Sequence, residues 1–142
     1  ETGVPVDAKL TTELLVQIFY INTPLHDGAV ILRGDRVAAA SCVMPLSASG
    51  ALSAGTRRKL GLRHRAALGV SEVSDAVSVV VSEETGSSSI THNGKMLRKL
   101  ELSRLRNILT AFFRPRKIAG LPSWLSDWLV RSGRSQAEPP GD

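Results

Sequence analysis

The chain has 142 residues, 42% apolar and 22% charged, which suits one folded domain with its own core and is too short for two comfortable ones. A single cysteine, Cys42, excludes an internal disulfide framework and fits a reducing compartment. No apolar run approaches the ~18 residues that span a bilayer and no charged-then-apolar leader opens the chain, so the fragment reads as soluble and cytoplasmic. The formal charge of +5 is clustered, with five basic residues in 57–65 and eight in 95–117, and aromatics at 4% do not interleave with them, so base-stacking nucleic-acid binding is not expected.

Residues 11–20 predict an amphipathic helix: Thr11 or Thr12 caps it, Glu13 sits in the favourable first turn, and Leu14, Leu15, Ile18 and Phe19 form one stripe. Asn22-Thr23-Pro24 ends it, because proline disfavours helical geometry in the preceding residue. Residues 28–33 and 36–43 are β-rich runs joined by a tight Gly34-Asp35 turn; Cys42 in the second run reads as a small core residue. Residues 45–55 form a small, polar, glycine-containing loop, and 62–68 a helix opened by Gly61. The valine run in 76–81 predicts a strand buried on both faces.

Two further strands, 87–91 and 95–98, flank His92-Asn93-Gly94, where Asn-Gly is a strong hairpin signal. Residues 100–113 predict a helix with Leu102, Leu105, Leu109, Phe112 and Phe113 inward and Arg104 and Arg106 outward. From Pro115 onward the chain holds four of its seven prolines and ends as a solvated tail. Within it Trp124, Leu125, Trp128 and Leu129 suit a short amphipathic helix near 123–130, either packed on the domain or reserved for a partner or membrane surface. The pattern as a whole predicts an α/β fold, a single layered domain with a central mixed, twisted sheet flanked by helices.

Three segments carry chemistry. Asp27 precedes Gly28 and Ala29 at a strand mouth, where small residues admit a ligand to the backbone and a carboxylate serves as metal ligand or proton acceptor; capping of a turn is the structural alternative. His26 beside it is a metal ligand or a loop histidine. Arg63 and Arg65 flank His64 just after Gly61, and no carboxylate lies within four residues of either. Planar guanidinium forks at a helix start suit phosphate, but residues two apart on a helix diverge by about 200°, so both reach one ligand only at the helix mouth. Ser82-Glu83-Glu84-Thr85-Gly86 follows the valine strand, and loops at strand carboxyl ends are where α/β sheets bind ligands. P-loop, dinucleotide, zinc and nucleophile-elbow motifs are absent.

Together Asp27-Gly28-Ala29, Arg63-His64-Arg65 and the longer stretches Asn22-Thr23-Pro24-Leu25-His26-Asp27-Gly28-Ala29-Val30-Ile31 and Val79-Val80-Val81-Ser82-Glu83-Glu84-Thr85-Gly86 resemble the diadenylate cyclase (DAC) domain family, most nearly its membrane-anchored CdaA type. The resemblance covers about residues 1–113. It implies a DAC domain over 1–114 and a tail over 115–142, and a nucleotidyltransferase that condenses two ATP into the second messenger cyclic di-AMP with release of pyrophosphate. It further implies that Asp27, Arg63 and Arg65 are catalytic and that His26, Asp27 and Glu84 hold a divalent metal, Mn²⁺ or Mg²⁺. Gly28, Ala29, Leu46, Gly61, Leu62, Arg63, His64, Arg65, Ser82, Glu83 and Glu84 would line the ATP site.

Catalysis in the family needs a face-to-face homodimer, since one protomer binds one ATP. Members also continue upstream with a further strand and helix, preceded in the CdaA type by transmembrane helices. The resemblance therefore implies a chain that begins inside its domain, and a full-length protein anchored in the bacterial membrane with this domain facing the cytoplasm. One position departs from the motif: Leu62 stands where threonine is common, so a hydroxyl for phosphate is missing. The alternative is a non-catalytic module that binds ATP or cyclic di-AMP.

Overall fold

The computed structural model describes residues 2–48, 60–113, 122–125 and 127. Expectations for 49–59, for the side chain of Phe113, and for most of the tail, Trp128 and Leu129 included, lie outside them. The elements run β1 (Val4–Lys9), α1 (Thr12–Ile18), β2 (Ala29–Arg33), β3 (Arg36–Cys42), α2 (Leu62–Val73), β4 (Ser78–Val81), β5 (Ser88–His92), β6 (Lys95–Leu100) and α3 (Leu102–Phe113). The α/β class is as the sequence predicts. The strands group into two three-stranded sheets, ordered β1-β3-β2 and β4-β5-β6. Two-residue connections, Gly34-Asp35 and Asn93-Gly94, make β2–β3 and β5–β6 antiparallel neighbours, and the described strands form these two sheets rather than the one central mixed sheet expected. By contacts the chain divides into two compact units, residues 1–78 with 91–95 and residues 79–90 with 96–142.

In the first unit, Thr11 caps α1 by accepting a hydrogen bond from Leu14 N at 3.1 Å. The helix buries Ile18 against Val37 and Ala40 of β3, with Val6, Leu10, Leu14, Leu15, Leu25 and Val30 around them. β3 is the middle strand and pairs antiparallel with both neighbours. β1 is absent from the predicted elements although Val4, Val6 and Ala8 alternate with Pro5, Asp7 and Lys9; a proline inside a run counts against a strand. It is an edge strand with a register shift between Pro5 and Ala8, and Asp7 has φ +46°. The kink and the exposed Asp7–Arg36 ion pair (2.8 Å) discourage pairing with another chain more than they stabilise, since such pairs contribute about 0–1 kcal/mol.

α2 extends to Val73, five residues beyond its predicted end. It is tied to the turn after β5: Gly94 N donates to Ser71 O (3.1 Å) and Ser71 Oγ (3.2 Å), and Thr91 Oγ1 donates to Ala67 O (2.9 Å). Asn93 and Gly94 both have positive φ, +49° and +71°, as a tight hairpin requires.

β5, Ser-Ser-Ile-Thr-His, is buried along its whole length despite its polarity. Burial lowers the His92 pKa, opposed by its ring contact with the Ala76 carbonyl (3.4 Å) and by Asp75. The folded chain thus favours the neutral ring, and between the lowered value and the ordinary one of about 6.5 the unfolded chain binds more protons. The stabilisation is complete above about pH 6.5 and is lost as pH falls from there through the folded value. Urea unfolding midpoints should therefore drop below about pH 6.5, and His92→Gln should flatten that drop; equal acid slopes in the two proteins would refute the assignment.

In the second unit β4 departs from its valine-run expectation. Only Val80 is buried, while Val79 and Val81 are 44% and 55% exposed, so alternate side chains point away from the core. α3 buries Leu105, Ile108 and Ala111, with Leu109 and Phe112 partly covered. Leu102, predicted inward, is 74% exposed. The stripe centres on Ile108, and six residues back at 100° each carries Leu102 about 120° around the helix. Ser123, Trp124, Leu125 and Asp127 are helical and Leu125 is buried. Among the described residues no helix is long and apolar enough to cross a membrane.

Candidate active site

The Asp27 segment is built by the turns that follow α1. Thr23 Oγ1 donates to the carbonyls of Tyr20 (2.9 Å) and Ile18 (3.3 Å), which ties the chain back onto the helix end. The Thr23 carbonyl in turn accepts from His26 N (3.3 Å) and from His26 Nδ1 (2.7 Å). A carbonyl only accepts, so Nδ1 carries the proton and the neutral ring presents the Nε2 lone pair. A backbone carbonyl on one imidazole nitrogen is the usual arrangement for a ring whose other nitrogen binds metal.

Asp27 follows, exposed, and among the described residues its carboxylate has no hydrogen bond or ion pair. Turn capping therefore does not account for it. Gly28 has φ +101°, and a Cβ there would lie 2.8 Å from Ser41 C and 2.9 Å from Cys42 O. Only glycine brings the turn this close to β3. Ala29 then opens β2 opposite Cys42, whose thiol burial pushes its pKa up and keeps it unreactive.

The Arg63 and Arg65 segment is the first turn of α2. Gly61 is the N-cap without a capping side chain, and the first turn has no acid. The positive end of the helix dipole thus lies in the turn that carries the two arginines, with no acid there to offset it. Arg63 and Arg65 are the second and fourth residues of the helix, so both lie in its first turn, as the sequence reading requires of a helix mouth. Arg63 is exposed and His64, between them, is buried. Arg65 is half-buried, and its Nε is fully buried with no hydrogen-bond partner among the described residues. A buried unpaired guanidinium nitrogen is costly unless a ligand completes it. Leu62 is 68% exposed at this mouth.

Leu46 is 45% exposed on the segment leading from β3, while its neighbour Ser47 is buried. Ser47 N donates to Arg65 O (3.0 Å) and Ser47 Oγ to Glu72 Oε1 (2.6 Å), which fastens the segment along α2. Sequence reasoning missed Ser47 and Glu72. Its available signal was Gly69, a glycine inside a helix, which often marks close backbone approach.

The 82–86 turn belongs to the second unit. Ser82 N donates to Ser87 O (2.9 Å) and Gly86 N to Ser82 O (2.8 Å), and Gly86 has φ +68°. Ser82 is half-buried, while Glu83 and Glu84 project from the turn, both exposed. Among the described residues the Glu84 carboxylate carries no hydrogen bond or ion pair. No group of three or more His, Cys, Asp or Glu suited to a metal occurs among the described residues.

The family model described as "DAC: DisA bacterial checkpoint controller nucleotide-binding" matches residues 1–96. Cyclic di-AMP synthase CdaA of Bacillus subtilis is 50% identical over 114 residues, which is 80% of this chain and 40% of that protein. The chain thus spans less than half the length of that curated relative. The crystal structure of DacA from Staphylococcus aureus, an N166C/T172C double mutant, superposes with TM-score 0.71 at 47% identity, over 77% of this chain and 70% of that one. A hypothetical membrane spanning protein from Bacillus cereus superposes with TM-score 0.65 at 44% identity, over 71% and 48%.

Proposed function

The chain belongs to the DAC nucleotide-binding family, and from that premise we propose that it is a diadenylate cyclase, joining two ATP into cyclic di-AMP and releasing two pyrophosphates. The observation that carries the reading is the mouth of α2, where the Arg65 Nε is buried with no hydrogen-bond partner among the described residues, beside the exposed Arg63 and a helix start that lacks a side-chain cap. In the same unit the Asp27 carboxylate stands exposed and, among the described residues, without a hydrogen bond or ion pair.

In this reading Arg63, Arg65 and the first amides of α2 grip the polyphosphate and neutralise the charge that builds as pyrophosphate leaves. Asp27 accepts the proton of a ribose 3′-hydroxyl as its oxygen bonds to the α-phosphorus of the other ATP in line with the departing pyrophosphate. Gly28 and Ala29 leave room for the nucleotide at the backbone, and Leu46 offers an apolar wall to its base. Asp27 and His26, through Nε2, are the first unit's donors for a divalent cation, Mn²⁺ or Mg²⁺. When bound, it supplies further charge neutralisation on the phosphates. Ser82, Glu83 and Glu84 keep the nucleotide and metal contacts that their motif implies.

Each chain holds one ATP while the product joins two, so the complete catalyst is a two-fold homodimer in which each 3′-hydroxyl meets the other protomer's α-phosphate. Residues 1–114 form the cyclase domain and 115–142 its tail. Likeness to CdaA and to a membrane spanning protein supports an anchored full-length protein with this domain in the cytoplasm.

A second reading, a binding module without turnover, is favoured by one observation: Leu62 exposes an apolar side chain at the phosphate mouth in place of a hydroxyl. Incubation with ATP and Mn²⁺ or Mg²⁺, followed by mass spectrometry, separates the two. Cyclic di-AMP is expected. Saturable ATP binding without product would favour the module, and neither binding nor product would refute both.

A further inference from the structure

Arg65, Gly69 and Glu72 recur at i, i+4 and i+7 and so form one stripe along α2. All three meet the same short segment. Ser47 N bonds the Arg65 carbonyl, and Ser47 Oγ donates to Glu72 Oε1 at 2.6 Å. Between these anchors the backbones touch: a Cβ on Gly69 would lie 2.1 Å from Pro45 O, 2.6 Å from Ser47 N and 2.8 Å from Leu46 C. Ser47 is 4% exposed, yet Leu46 beside it is 45% exposed. An apolar side chain is thus presented outward by a backbone pinned on both sides of it. Ordering that wall in the free protein removes an entropic cost from ligand binding.

We propose that Glu72 is a positioning residue: through Ser47 it latches residues 45–47 onto α2 and holds Leu46 as the wall for a nucleotide's base. This rests on the nucleotide-binding reading of the site. The latch acts on the base and not on the phosphates, because Arg63 and Arg65 are held by α2 itself and the Arg65 carbonyl contact is made by Ser47 N. It therefore makes a prediction that a general structural staple does not.

Affinities for α,β-methylene-ATP and for inorganic tripolyphosphate, which has no base, are measured by calorimetry on the wild-type chain and on Glu72→Ala, Ser47→Ala, the double variant and Glu72→Gln. Glu72→Ala is expected to weaken the nucleotide about tenfold, as loss of a charge-assisted hydrogen bond allows, and to leave tripolyphosphate within about twofold. Ser47→Ala should do the same, and the double variant should be no worse than either single one. Glu72→Gln still offers an acceptor oxygen to Ser47 Oγ and should restore nucleotide binding. Equal weakening of both ligands, or of neither, overturns the latch, as does additivity of the single effects. If Glu72→Ala fails to fold, the Ser47→Ala and Glu72→Gln pair decides by the same comparison. A wild-type chain that binds no nucleotide refutes the functional reading itself; wild-type binding that the variants leave unchanged refutes the latch alone.

Discussion

Asp27→Asn should reduce cyclic di-AMP formation about a thousandfold while leaving the fold and nucleotide binding in place, general-base contributions being typically 10²–10⁴-fold. Asparagine keeps the shape of the side chain and removes its charge and basicity. The carboxylate is exposed and makes no hydrogen bond or ion pair among the described residues, so the substitution breaks no structural contact. The thermal midpoint should correspond to a stability change within about 0.5 kcal/mol, the usual range for surface sites. Mass spectrometry of product against time measures the loss, and calorimetry with a non-reacting ATP analogue measures retained binding. Turnover within tenfold of the wild type would remove Asp27 from the proton-accepting role. Loss of activity with loss of fold would instead mean that the turn depends on the carboxylate, contrary to its exposure.

Gly69→Ala should destabilise the chain by about 3 kcal/mol, although helix propensity alone argues for a gain of about 1 kcal/mol. The added methyl would lie 2.1 Å from the Pro45 carbonyl oxygen, a backbone atom that no side-chain rotation can move aside. Relief requires the 45–48 segment to retreat from α2. That retreat strains or breaks the Ser47 N to Arg65 O bond and the Ser47 Oγ to Glu72 bond, one neutral and one charge-assisted. Steric overlap of about 1–3 kcal/mol plus these two bonds outweighs the propensity term. For a domain of this size the melting temperature should fall by roughly 10 °C. A midpoint equal to or above that of the wild type would mean that propensity governs and that the segment is not pinned.

Much of the local structure was legible because the signals act over a few residues. Thr11 caps α1 through Leu14 N, three positions on. Gly34-Asp35 and Asn93-Gly94 close hairpins, with Gly34, Asn93 and Gly94 at positive φ. The placement of the segments singled out for chemistry was legible as well, since each falls where an element begins or ends: Asp27 ahead of β2, Arg63 in the first turn of α2, Glu84 in the turn after β4.

Errors arose where a face is decided by what covers it. Val79 and Val81 look like core but are exposed, whereas the polar Ser88, Ser89, Thr91 and His92 are buried. Thr91 is tolerated there because its hydroxyl reaches the Ala67 carbonyl, 24 residues away. Leu102 shows the same limit on a helix, since a heptad-like spacing does not say where the covered stripe is centred.

By itself the sequence determined the order of the elements from α1 onward, the turn chemistry, the family and the residue types of the Arg63–Arg65 and Asp27 segments. These depend on covalent neighbours and on side-chain chemistry that travels with the residue. Only the tertiary structure decided that, among the described residues, Arg65 Nε is buried without a partner and Asp27 is left unpaired, and that Ser47 is held by Glu72 across 25 residues. Each is a matter of which distant atoms come within hydrogen-bond reach, and no spacing along the chain encodes that distance.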